Sequence, residues 1–264
     1  MIVQSPGVYG PKSFVARAPE LMQNNLVVLY TPMHTATTFI RRMLERHSER
    51  GTAMSWDKIT ENHKHEAINL ASDSFHIIQI HMHIGDATSI QPCQGTLFSL
   101  LDQALCRAYP TIITTRDPLA TLITHYVRVK QQNLGILPEH LKRSVGDNAK
   151  ICLYAAKLAE HGIGLHLAVE PVKTQKDRER FISGMFSYID RPLFAEKRIE
   201  EAVTHWKKLN TVVTSDHPMR KAYNDQNLEY LLEHLPGVQY VLDHRSTFIP
   251  YLSKLGYRDL FWWK

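Results

Sequence analysis

Two stretches of this chain carry residue types at spacings that suit the binding of an oxyanion. In the first, an apolar run, Leu26-Val27-Val28-Leu29-Tyr30, breaks into Thr31-Pro32-Met33-His34-Thr35-Ala36-Thr37-Thr38 and then into a helical pattern, with Phe39, Ile40, Met43, Leu44 and His47 on one face. A strand that feeds a hydroxyl-rich turn at a helix start leaves the first helical N–H groups without intrahelical partners. It also aims the positive end of the helix dipole at the turn, where a phosphate or sulfate fits. The loop lacks the two glycines and the Lys-Ser/Thr pair of a Walker A sequence. Taken alone it reads equally as a strand-to-helix turn with threonine caps.

In the second stretch, about eighty residues on, a β-branched run from Thr111 to Thr115 ends in Arg116. Asp117 followed by Pro118 reads as an N-cap and a first helical residue, and Leu119, Leu122, Ile123, Tyr126 and Val127 form the stripe of a core-facing helix. Arg116 supplies a planar, permanently charged fork for phosphate, and Thr124, two helical turns along, adds a hydroxyl. The competing reading of Arg116 is a structural salt bridge. Between the two stretches, Phe75 to Gly85 reads as a strand that ends in His81 and His83 before a glycine turn. A neutral imidazole there can take a proton from a hydroxyl. His-X-His is also a metal-ligand pattern that His63 and His65 could complete, although in a chain with fifteen histidines it also arises by chance. Cys93, Cys106 and Cys152 show no C-x-x-C spacing.

These segments resemble the sulfotransferases that use 3′-phosphoadenosine 5′-phosphosulfate. Met33-His34-Thr35-Ala36-Thr37-Thr38-Phe39 takes the place of that family's P-K-S-G-T-T-W phosphosulfate loop, with the Thr-Thr pair identical. Arg116, Asp117, Pro118 and Thr124 follow its 3′-phosphate motif, in which a serine stands eight residues after the arginine. Arg220-Lys221-Ala222 is similar to an Arg-Lys-Gly turn that also holds the 3′-phosphate, and Leu255-Gly256-Tyr257 to a later Leu-Gly-Tyr. Ile77-Ile78-Gln79-Ile80-His81 resembles the family's Ile-Ile-Lys-Thr-His, whose histidine is the general base.

The resemblance implies in-line transfer of a sulfuryl group from that donor to an acceptor hydroxyl or amine, releasing adenosine 3′,5′-bisphosphate without a metal. The acceptor class it implies is a small molecule or a glycan. It makes His81 the base, with His83 as competitor. His34, Thr35, Ala36, Thr37 and Thr38 would hold the 5′-phosphosulfate, Phe39 would stack on adenine, and Arg116, Thr124, Arg220 and Lys221 would hold the 3′-phosphate. His34 replaces the lysine beside the leaving group, and a histidine is fully charged only below its pKa. Three further readings remain open: a degenerate, non-catalytic binder of a nucleotide or partner, a P-loop kinase, and a His-X-His metal-dependent hydrolase.

The elements that must position these residues alternate between strand and helix. That order predicts an α/β fold, one domain over residues 1–264, with a central parallel sheet covered by helices on both faces in the P-loop NTPase-like sulfotransferase architecture. Residues 131–150 read as loop and short helix near the acceptor site, 151–161 as a helix, 165–170 as a strand with Glu170 in a structural role, and 176–189 as an amphipathic helix. A helix is expected over 225–234. The aromatic tail Phe261-Trp262-Trp263 is expected to pack on the domain; exposed, it would mean a partner or homodimer contact. With 44% apolar residues the chain can bury one substantial core. A net charge of +5 suits an anionic donor, and its even spread along the sequence speaks against a nucleic-acid module. No apolar run approaches ~20 residues and no leader pattern opens the chain. With three scattered cysteines, that predicts a cytoplasmic protein with no membrane span.

Overall fold

The computed structural model describes residues 26–32, 34–47, 51–55, 75–81, 110–131, 137–160, 162, 164–170, 172, 174–189, 200–204 and 216–264. Five runs rich in Val, Ile, Leu and Thr form strands: β1 (Leu26–Thr31), β2 (Gly51–Ser55), β3 (Phe75–His81), β4 (Thr111–Thr115) and β5 (Leu165–Ala168). They pair in parallel throughout, in the spatial order β2-β3-β1-β4-β5. Parallel neighbours require crossover connections, and long helices lie in them or follow them: α1 (Thr37–His47), α2 (Pro118–Gln131), α3 (Pro138–Glu160) and α4 (Gln175–Tyr188). The C-terminal part is helical: α5 (Pro218–Asn224), α6 (Leu228–His234), α7 (Val238–Asp243), α8 (Arg245–Lys254) and a 3₁₀ turn, Phe261–Trp263.

Side-chain alternation divides the core between the two sheet faces. Val27, Leu29, Ile77, Ile112 and Leu167 join Phe39, Ile40, Met43 and Leu44 of α1 and Ile182, Met185 and Phe186 of α4. Ala168, one residue past Leu167, belongs instead to the cluster built from α2, α3 and the C-terminal helices. Helices therefore cover both faces, and β4 is buried at every residue, as a doubly covered strand must be.

The local signals explain most boundaries and revise some. Asp117 caps α2 by accepting the Leu119 amide at 2.9 Å, with Pro118 as the first helical residue. Thr174 and Asp177 form a capping box at the start of α4. Where a loop and a separate helix were expected across 131–161, α3 runs unbroken for 23 residues. Gly146 in its interior costs about 1 kcal/mol relative to alanine, which the buried face of Val145, Ala149, Cys152, Leu153 and Ala156 outweighs. The expected strand 165–170 stops at Ala168, and the expected helix 225–234 begins later, at Leu228, where Asn227 caps the Tyr230 amide at 3.0 Å. Gln226, at φ 57°, makes the break that sets α5 apart from α6. Arg220 and Lys221 sit on helix α5, which His217 caps and Pro218 begins, not in a turn as the family pattern had suggested.

The order of the strands places a switch point between β1 and β4. From β1 the chain crosses toward the β2 edge, and from β4 it crosses toward β5. Connections diverge between these two neighbours, and in open α/β sheets the crevice beyond the carboxyl ends of such strands is where ligands bind.

Candidate functional site

The loop leaving β1 is shaped by two residues in the left-handed region, His34 at φ 63° and Ala36 at φ 64°. Histidine is among the types enriched there, whereas alanine gains nothing by it and costs about 1–2 kcal/mol. Two left-handed residues within three positions bend the chain sharply from β1 into α1. The Phe39 and Ile40 amides donate to Ala36 O at 3.0 and 3.1 Å, so α1 starts there and the amides of Thr37 and Thr38 belong to its open first turn. Two of the loop hydroxyls are turned inward. Thr35 Oγ1 donates to Pro32 O at 2.8 Å and lies 2.6 Å from Thr114 Oγ1, and Thr37 Oγ1 donates to Thr31 Oγ1 at 2.8 Å. Thr38 is exposed, and Phe39 packs into the core.

Across the crevice, the end of β4 presents Arg116. Its Nε donates to Glu170 Oε1 at 2.7 Å and its NH1 to Thr124 Oγ1 at 3.0 Å, while Thr124 passes its own proton to Ala120 O at 2.9 Å. Arginine and hydroxyl thus meet as their eight-residue spacing on a strand-to-helix turn dictates. The salt-bridge reading holds as well, because Glu170 takes one edge of the guanidinium. The rest of the fork, at NH1 and NH2, has no further partner among the described residues.

Glu170 also accepts from the Asp117 amide at 2.9 Å and from the Tyr257 hydroxyl at 3.1 Å. The fully buried Asp117 side chain accepts from Leu119 N, from Trp262 Nε1 at 3.1 Å and from the Tyr223 hydroxyl. Burial, and then the Glu170 carboxylate, push the Asp117 carboxyl well above its ordinary 3.8, against the pull of those donors. The hydroxyls of Tyr223 and Tyr257 are pushed up by burial and by the same carboxylates. Beside them, Tyr251 Oη lies 2.6 Å from both Thr115 Oγ1 and His166 Nδ1. Thr35, Thr115, Arg116, Cys152 and Tyr251 help line a cavity of about 10 Å³ behind the arginine, room for no more than one water. A larger ligand has to lie on the open side, beyond the strand ends.

The β1 loop and α2 are joined through histidines. His34 Nε2 lies 3.0 Å from His125 Nδ1, and His125 Nε2 lies 2.8 Å from Ser144 Oγ on α3. Burial pushes the His125 imidazole down to about 4, which keeps it neutral.

Of the residues singled out in the sequence, Thr35 through Thr38 with His34 and Arg116 with Thr124 come to one edge of the sheet. His81 ends β3 in register with Thr31, at that same edge, and nothing is described of its side chain. His83, and with it His63 and His65, lies outside the described residues. Arg220 stacks over Tyr223, with its guanidinium carbon 5.4 Å from the ring centroid, and so neighbours the Asp117 cluster; Lys221 is exposed. Phe39, buried with α1's core face, offers no open ring for adenine. His125, Ser144 and Tyr223 had no local signal, and Trp262 was expected to pack on the domain but not to reach Asp117. His125 is off the apolar stripe of α2, and only the fold brings it within reach of residue 34. Among the described residues no helix is long and apolar enough to cross a membrane, and no three His, Cys, Asp or Glu side chains gather as metal ligands. Compared with protein-family models and with characterised proteins the sequence matches none, so what this edge does has to be argued from its geometry.

Proposed function

We propose that the chain is a sulfotransferase of P-loop-like architecture, working in the cytoplasm on a small-molecule or glycan acceptor. The observation that carries the reading is that two segments of oxyanion-binding character, 34–38 and 116–124, converge where the sheet order leaves a crevice. Thr35 and Thr114 are 2.6 Å apart there, and Arg116 already touches Thr124. 3′-Phosphoadenosine 5′-phosphosulfate would supply the sulfuryl group and leave as adenosine 3′,5′-bisphosphate.

The chain's own contribution is positioning and charge compensation, which dominate catalysis in group transfer of this kind. The first-turn amides of α1 and the exposed Thr38 hydroxyl hold the phosphosulfate, and His34 faces its bridging oxygen. Arg116 offers its remaining NH1 and NH2 edge to the 3′-phosphate, while Glu170 and Thr124 fix the plane of the guanidinium. His81 takes the proton of the acceptor hydroxyl. The inward-turned Thr35 and Thr37 hydroxyls set the loop's shape instead of touching the anion.

Calorimetric titration with adenosine 3′,5′-bisphosphate, with AMP and ATP as controls, tests this directly. Micromolar binding that needs the 3′-phosphate and weakens at least tenfold in Arg116→Ala is expected, the scale of a charged hydrogen bond. A preference for ATP, or an Arg116→Ala variant with full affinity, would remove the reading. His81→Ala should then bind normally and lose turnover. The pairing of Arg116 with Glu170 and the inward hydroxyls also suit a binder that does not turn over; nucleotide binding with no sulfated product from any acceptor would select it.

A further inference from the structure

Building on the reading of Arg116 as the residue that meets the 3′-phosphate, we propose that the Leu255-Gly256-Tyr257 turn is a positioning device for it: Tyr257 anchors Glu170, and Glu170 holds the guanidinium with its open edge toward the anion. The turn is built by the end of α8. Gly256, at φ 90°, takes the left-handed position just past the helix, which glycine fills without strain. Its amide donates to Ser253 O at 3.0 Å and the Tyr257 amide to Leu252 O at 3.1 Å, the paired bonds of a Schellman turn. Tyr257 is left buried, at 6% exposure, and α8 is itself seated in the core by Phe248, Tyr251 and Leu252.

The Tyr257 hydroxyl donates to Glu170 Oε2 at 3.1 Å, and the Asp117 amide donates to the same oxygen at 2.9 Å. The other oxygen, Oε1, accepts Arg116 Nε at 2.7 Å. One carboxylate therefore has its far oxygen anchored by two donors and its near oxygen on the arginine. Burial alone does not hold Glu170, because it lies two residues past the end of β5 with its side chain 33% exposed. With Oε2 tethered, the carboxylate cannot turn about its last torsion, and the plane of the guanidinium follows it, with Thr124 Oγ1 on NH1 as the second fixed point. Burial, and then the Glu170 carboxylate, push the Tyr257 hydroxyl well above its ordinary 10, so at neutral pH it keeps its proton and remains a donor. The same helix makes a second contact with the strand end: Tyr251 Oη lies 2.6 Å from Thr115 Oγ1, one residue before Arg116. The α8 segment thus grips β4 at two consecutive residues, once directly and once through Glu170.

The test is side-chain NMR of the protein labelled with ¹⁵N-arginine, read alongside calorimetry with adenosine 3′,5′-bisphosphate. In the wild type the Arg116 Nε–H signal, identified by its loss in Arg116→Lys, should be protected from exchange with water. Tyr257→Phe removes only the hydroxyl; Arg116 Nε–H should then exchange about tenfold faster, and the bisphosphate should bind about three- to tenfold more weakly. In an Arg116→Lys background the same Tyr257→Phe change should cost no further affinity, because its effect passes through the guanidinium. Gly256→Ala, which strains the turn but leaves every hydroxyl in place, should act in the same direction, and it carries the measurement if the Phe variant does not fold. An Arg116 Nε–H that exchanges freely already in the wild type, or one indifferent to both variants, would overturn the positioning role. So would an equal loss of affinity with Lys at position 116, which marks a general loosening of the fold. An Nε–H signal that responds to the variants in a protein that binds no bisphosphate would leave the positioning of Arg116 standing and sink the sulfotransferase reading instead.

Discussion

At the scale of single residues, Ala36 is held where an L side chain is strained. Its φ of 64° closes the turn from β1 into α1, and the position is one that glycine fills freely. Ala36→Gly is expected to raise unfolding free energy by about 1 kcal/mol in urea titration, the relief of left-handed strain less the extra freedom of glycine in the unfolded chain. Equal or lower stability would mean that the turn is not under strain. Two perturbed buried groups at the site work against each other. The unfolded chain protonates His125 below about 6.5 and the folded chain only at about 4, so its contribution is present above pH 6.5 and is lost as pH falls toward 4. Asp117 has the opposite sign. Its raised folded value keeps a proton that the unfolded chain gives up above 3.8, so its contribution is present at low pH and is lost as pH rises. Relative to the wild type, His125→Phe should therefore gain stability as pH is lowered from 6.5 to 4, by about 3 kcal/mol at most, and Asp117→Asn should lose it. Denaturation curves at several pH values check this, and variants that track the wild type in parallel would show that neither group changes its proton affinity on folding.

At the scale of elements, two glycines of one helical interface should respond in opposite directions. Gly146 lies inside α3 with nothing within 4 Å of an added Cβ, so Gly146→Ala is expected to stabilise by about 1 kcal/mol. Gly237 opens α7 at φ 84°, where a Cβ would meet Ala149 at 3.2 Å and Leu122 at 3.3 Å; Gly237→Ala should cost about 2 kcal/mol through strain and displacement of α2 and α3. Thermal unfolding of the pair, run side by side, decides it. What the sequence revealed of the elements follows how local their causes are. Strand β4, the Asp117-Pro118 start of α2 and the approach of Thr124 to Arg116 all depend on the consecutive residues 111–124, and all were legible. The length of α3 was not, because Gly146 reads as a breaker until the buried face that outweighs it is known. Nor was the placement of Arg220 and Lys221 on a helix, which starts at the His217 cap and Pro218. The meeting of His34 with His125 depends on which strands are neighbours, and no spacing encodes that.

At the scale of the whole molecule, the C-terminal helices and the sheet share the polar cluster around Asp117. Trp262 is fully buried, packs edge-on against Phe248 with centroids 6.3 Å apart, and donates to the same carboxylate that caps α2. Trp262→Phe should keep most of the packing but leave Asp117 Oδ1 one donor short, costing about 1–3 kcal/mol. If the cluster ties the two parts into one cooperative unit, tryptophan fluorescence and far-ultraviolet circular dichroism will lose signal together in the variant as in the wild type. Transitions that separate would show that sheet and C-terminal helices unfold independently. The 145 residues between Asp117 and Trp262 also set a clock during synthesis. At about 5–20 residues per second, roughly 7 to 30 s pass between the emergence of the carboxylate and that of its last donor. During that interval the edge of the sheet that would hold the anion exists without the ring that completes its support, so a nascent chain has its strands before it has a finished site.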